Sequence, residues 1–102
     1  MALNITGSIV LESGISISSA YARTEANLAN TGNSVVVYPY VWASKAAYDD
    51  GLPPIRPNFL NYIEPAVSYD RTADGVDILD FANQSVKSTL EGLGYTVTIT
   101  DL

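Results

Sequence analysis

The chain contains no histidine and no cysteine among its 102 residues, and five basic side chains stand against eleven acidic ones. Each shortage excludes something. Without cysteine there is no disulfide and no thiolate to act as nucleophile or metal ligand. Without histidine the usual general base near neutral pH is missing. A net charge of −6 leaves no positive surface to displace counterions from nucleic-acid phosphates. An anionic membrane surface would repel the chain for the same reason. No apolar run approaches the roughly 20 residues of a membrane-spanning helix. The opening Met1-Ala2-Leu3-Asn4 has neither the basic nor the apolar region of a secretory leader, so synthesis in a cytoplasm is expected.

What is present describes one folded domain spanning residues 1–102. Hydrophobic residues make up 47% of the chain, too many for a disordered segment. A chain this long buries roughly 60–65% of the surface it exposes when unfolded, so its core is adequate but thin. Charged residues make up only 16%, which leaves Ser, Thr, Asn and Tyr to carry the surface. Such surfaces suit contact with protein or glycan, because a hydroxyl is cheaper to desolvate than an ion.

The first half alternates at the period of a strand. Leu3, Ile5, Ile9 and Leu11 are separated by Asn4, Thr6 and Ser8, and Ser13-Gly14 then signals a turn. A second strand is expected from about Ile15 to Asn27, with Tyr21 and Arg23 on one face. Asn30-Thr31-Gly32-Asn33 is a second turn. The run Ser34–Ala43 is the strongest strand. Val35, Val37 and Val41 mark one face; Val36, Tyr38, Tyr40 and Trp42 mark the other. Pro39 cannot donate to a ladder and is expected at an edge or a bulge.

Ser44 to Gly51 has the ends of a short helix, with Ser44 as N-cap and Gly51 just past the C-terminus. Leu52 to Pro57 is a proline-stiffened connector, and Phe59 to Tyr69 reads as a strand broken at Pro65. Asp77 or Asp74 then caps a helix with an apolar stripe of Leu79, Ala82, Val86, Leu90 and Leu93. Asp80, Gln84, Lys87 and Glu91 face water, and Gly94 ends the helix. Tyr95, Val97 and Ile99 alternate with Thr96, Thr98 and Thr100 as a final strand whose Thr face points outward. This order predicts an α+β fold: a mostly antiparallel sheet or small sandwich, with the C-terminal amphipathic helix packed on it.

No group of residues has the pattern of a catalytic or metal centre. Asp49-Asp50 sits beside a turn glycine, and Asp70 to Asp77 lacks the alternate-position acids and closing Glu of a calcium loop. The serines have no neighbour to take a proton. Asn4-Ile5-Thr6 and Asn83-Gln84-Ser85 match the glycosylation pattern, and with no secretory leader expected both matches are expected to be chance. Non-enzymatic function, no catalytic residues, no cofactor and no metal are therefore expected. The candidate site is the row Tyr38, Tyr40 and Trp42. It reads as core beneath the C-terminal helix, as a protein interface, or as a platform for sugar rings.

Three stretches carry a resemblance: Gly14–Arg23 (GISISSAYAR), Val35–Tyr38, and Trp42–Gly51 (WASKAAYDDG). In order and spacing they resemble small bacteriophage virion proteins, over about the first half of the chain. That resemblance implies a structural protein of the virion, made in the host cytoplasm, most often of the tail or baseplate. Capsid decoration, as a cement protein, is the alternative in the same class. A carbohydrate- or receptor-binding module is the alternative from a different class. Implied partners are other virion proteins or copies of the chain itself, with a glycan on the last reading.

Overall fold

The computed structural model describes residues 2–29, 32–70, 72 and 77–100. Five strands form a single antiparallel sheet: β1 (Ala2–Val10), β2 (Ser16–Leu28), β3 (Ser34–Trp42), β4 (Ala66–Ser68) and β5 (Thr96–Thr100). Their spatial order is β4-β3-β2-β1-β5. The first four make a meander, and β5 returns to the far side of β1. The fold is thus α+β with one sheet rather than a sandwich. Among the described residues the sheet is accompanied by two helices, α1 (Lys45–Asp49) and α2 (Ile78–Gly92), and by a 3₁₀ turn at Asn58–Tyr62.

Strand alternation assigns two faces. The pairs Leu3↔Ala22, Ile5↔Val97, Ala22↔Val41 and Val35↔Val67 put the aliphatic residues on one side. On that side α2 lies mainly over β2 and β5, bringing Ala82, Val86 and Leu90 onto Leu3, Ile5, Ala20, Ala22 and Val97. Leu3, Leu90, Val35 and Val41 are fully buried, each stabilising the fold by about 1.5–3 kcal/mol relative to an exposed position. As expected, Val97 and Ile99 turn inward and Thr96 and Thr98 outward.

Both ends of α2 follow from their residues. The Asp77 carboxylate accepts from the Leu79 and Asp80 amides, each at 3.1 Å, and is the N-cap. Asp74, the other expected cap, lies outside the described residues, as do Asn30, Thr31 and most of the Asp70–Asp77 loop. At the other end Gly94 adopts φ +100°. Its N–H donates to the Glu91 carbonyl and the Tyr95 N–H reaches the Leu90 carbonyl, both at 3.1 Å. This is a Schellman stop, with Tyr95 and Leu90 in one apolar cluster as that motif favours.

Two expectations need correction. The stripe of α2 holds at its middle and not at its ends: Ala82, Val86 and Leu90 are buried, Leu79 and Leu93 are 36% and 43% exposed, and Asn83 is buried beside it. Ile78 and Phe81 fill the first turn instead, with Phe81 against Tyr69 at 5.1 Å between ring centres. The segment Phe59 to Tyr69 is not one broken strand. Phe59 enters the core from the 3₁₀ turn, edge-on to Tyr95 at 5.5 Å, and only Ala66–Ser68 pair as a strand.

The register of β1 against β2 shifts between Thr6 and Ile9, so that Gly7 and Ser8 together oppose Ser18. Gly7 has φ +143°, and a Cβ there would lie 2.8 Å from Cδ1 of Tyr95. A glycine is required at this position on both counts.

Candidate functional site

Among the described residues no long helix lies over the opposite face of the sheet. That face carries Asn4, Thr6, Thr96 and Thr98 on the β1–β5 side. On the β2–β3 side the cross-strand pairs are Tyr21↔Trp42, Arg23↔Tyr40 and Glu25↔Tyr38. Tyr38, Tyr40 and Trp42 are therefore not the floor beneath α2. The buried residues of β3 are Val35, Val37 and Val41, which share the core cluster with Ala82, Val86 and Leu90 of α2.

The three aromatic residues are not equivalent. Trp42 is half-buried: its indole N–H donates to the Leu52 carbonyl at 2.8 Å, and its ring meets Tyr48 at 4.8 Å and 72°. Tyr38 is 53% exposed and lies 5.1 Å from Tyr40, with the rings tilted by 41°. The row thus has an anchored end at Trp42 and an open end at Tyr38.

The short helix α1 makes that anchored end. Ser44 caps it, its Oγ accepting from the Ala47 amide at 3.1 Å. Past the C-terminus Gly51 takes φ +73°, and Gly51 and Leu52 donate back to the Tyr48 and Ala47 carbonyls. So held, α1 lays Tyr48 against Tyr21, 5.5 Å away, and Tyr21 is only 2% exposed. Lys45 and Asp49 form an exposed ion pair one turn apart at 2.9 Å. The bond to Asp49 and its charge raise the Lys45 pKa above its ordinary 10.5.

Arg23 lies in the middle of this face. Its guanidinium carbon stands 4.9 Å from the centre of the Tyr48 ring, and Nη1 donates to the Tyr21 hydroxyl at 3.3 Å. None of the described ion pairs involves it. Arg23, Tyr21 and Tyr48 were not among the residues singled out from sequence. The β2 alternation places Tyr21, Arg23 and Glu25 on one face, but only the β2–β3 register brings them beside Tyr40 and Tyr38.

A second feature lies along the side of β3. Odd residues of β3 point their backbone groups away from β2. Asn33 accepts from Tyr69, Val37 donates to Pro65, and Val41 accepts from Ile55. Pro39 shares that orientation, so its missing N–H removes no bond to β2. Pro65 stands where a donor to the Val37 carbonyl would be and has no N–H to give. The strand is therefore interior along β4 and an edge beyond it. A cleft of about 410 Å³ opens there, lined by Tyr38, Pro39, Tyr40, Pro54, Ile63 and Pro65 among others.

Among the described residues, no three acidic side chains converge on a point that could hold a metal ion. The uncovered face offers ring surfaces, a stacked guanidinium and a field of hydroxyl and amide groups, which are means of adhesion. Comparison of the chain with protein-family models, with curated proteins and with solved structures gave no match. No helix of the described residues is long and apolar enough to cross a membrane.

Proposed function

We propose that the chain is a non-catalytic assembly subunit: a structural protein of a bacteriophage virion, of the tail or baseplate. The observation that carries the assembly reading is the asymmetry of the sheet. One face is filled by α2, while among the described residues the other is covered only at its Tyr21–Trp42 end by α1 and presents Tyr38 and Tyr40, with Arg23 half-buried beside them. Tyrosine and arginine are the residues most enriched where binding energy concentrates in interfaces. The resemblance of Gly14–Arg23 and Trp42–Gly51 to small virion proteins supplies the class of assembly.

The size of the face agrees with repeated use. Strands at about 4.8 Å spacing, with four of them paired over five to eight residues and β4 over three, offer on the order of 400–500 Å². A stable dimer buries about 800 Å² per partner. One such contact is weak, and many in a symmetric particle sum to a strong assembly. Capsid decoration would use the same face in the same way. A carbohydrate-binding module is less well supported, since Trp42, the best stacking residue, is already engaged by Tyr48 and Leu52.

Light scattering coupled to size exclusion, across a wide range of concentration, tests the proposal. A discrete oligomer that grows in with concentration is the expected result. A strict monomer at every concentration counts against self-assembly.

A further inference from the structure

We infer that the uncovered face pairs with the same face of a second copy through a reciprocal Arg23–Glu25 contact about a two-fold axis. The inference rests on the assembly reading above and names the partner and the symmetry of its contact. Arg23 and Glu25 are two residues apart on β2 and lie on one face, separated by roughly 6.6–6.8 Å along the strand. They do not pair with each other, and neither takes part in a described ion pair. One face thus holds a cation and an anion side by side, Glu25 exposed and Arg23 half-buried against Tyr48 with no carboxylate partner among the described ion pairs.

This arrangement is self-complementary. In a two-fold contact residue i meets j, and j meets i. An axis passing between Arg23 and Glu25, with the two β2 strands running in opposite directions, sets each Arg23 against the other copy's Glu25. Their cross-strand neighbours follow: Tyr40 of each copy comes opposite Tyr38 of the other. The two α1 helices then stand at opposite ends of the pair, on the sides where Tyr21 and Trp42 are already covered.

Arg23 is prepared for the role. The Tyr48 ring and the Tyr21 hydroxyl hold the guanidinium before any partner arrives. Ordering a long side chain opposes association, and here much of that ordering is already done. The charge balance favours this contact over others. A chain of net charge −6 repels its copies in most orientations, and Arg23 is a cation on the aromatic face that takes part in none of the described ion pairs.

Charge reversal tests the pairing. R23E and E25R are each measured alone, then mixed in equal amounts, by concentration-dependent light scattering. Alone, each variant sets like charges together, and its dissociation constant rises about ten-fold or more. In the mixture the introduced carboxylate of the R23E chain meets the introduced guanidinium of the E25R chain. The unchanged Glu25 of the first meets the unchanged Arg23 of the second, so association returns as a heterodimer. That rescue cannot come from misfolded protein, and circular dichroism of each variant checks the fold directly. Wild-type association that survives both reversals, or a mixture that stays apart, overturns the pairing and leaves the assembly reading standing. A wild-type chain that is monomeric throughout overturns the pairing and counts against self-assembly, leaving assembly with other proteins as the reading to test.

Discussion

Gly7→Ala should be among the most damaging single-methyl changes in this protein. Two separate effects meet at that position. The backbone holds φ +143°, which L-residues adopt only with strain of about 1–3 kcal/mol. The new Cβ would also sit 2.8 Å from Cδ1 of Tyr95, so the ring must retreat by roughly half an ångström or more. Tyr95 has little freedom to do so. It packs edge-on to Phe59 and follows the Schellman stop of α2. Overpacking of this kind costs about 1–3 kcal/mol. The two effects together give about 2–5 kcal/mol, against a total stability of about 5–15 kcal/mol for a domain.

Gly14→Ala is the control. Its φ is +88°, but nothing lies within 4 Å of the added Cβ, so only the backbone effect remains. Urea unfolding followed by the fluorescence of Trp42 measures both. With a slope near 1.5 kcal/mol/M, a 2 kcal/mol difference separates the midpoints by roughly 1.3 M. Repeating Gly7→Ala in a Tyr95→Ala background should remove the clash and recover about 1–3 kcal/mol as coupling energy. Equal losses for Gly7→Ala and Gly14→Ala, with no coupling to Tyr95, would show that the Tyr95 ring does not oppose a Cβ at Gly7.

Three further outcomes follow from single contacts. Asp77→Ala removes the acceptor for two amides at the start of α2 and should cost about 0.5–2 kcal/mol by urea unfolding, with Asp77→Asn close to wild type. Thr24 is 8% exposed and its Oγ1 has no partner among the described residues. Thr24→Val keeps the shape and drops the unsatisfied hydroxyl, so it should be neutral or stabilising by about 1 kcal/mol; a clear loss would reveal a bound water. The Lys45 pKa is raised by Asp49, so the pair's contribution is present below the ordinary 10.5 and is lost as pH climbs through the higher folded value. NMR titration of the Lys45 ammonium should show that raised midpoint, and Asp49→Asn should bring it down.

Much of the fold is written in short-range patterns. The alternation of Leu3 to Leu11 and of Val35 to Val41 marked strands whose aliphatic faces do form the core. Ser44, Gly51, Asp77 and Gly94 marked helix ends because their chemistry is local: a side-chain acceptor, or a positive φ. Less legible was whatever depends on a neighbour distant in sequence. The helical period of α2 placed Ala82, Val86 and Leu90 inward, as they are, but it admitted Leu79 and Leu93 to the same stripe equally well. The choice of Asn83 over them is set by how the helix lies across β2 and β5. Phe59 to Tyr69 failed as a strand because Phe59 is drawn into the core by Tyr95, nearly forty residues away. For Tyr38, Tyr40 and Trp42, alternation showed that they share a face but not which face α2 would cover. Tyr48 and Arg23 joined them only through α1 and the β2–β3 register.

The two prolines beside the β3 cleft set a limit on how this molecule can polymerise. Edge-to-edge growth into a fibre requires every copy to offer two pairing edges. Here the edge beyond Val37 presents a proline that cannot donate and a carbonyl whose natural partner position holds another proline, while β4 itself runs for only three residues. The opposite edge, β5, remains free to pair. A chain with one adhesive edge can meet one other chain and then stops. Strand addition therefore ends at two copies, and any larger ordered structure must be built through the faces of the sheet, where geometry and copy number are fixed by side chains rather than by an endless backbone ladder.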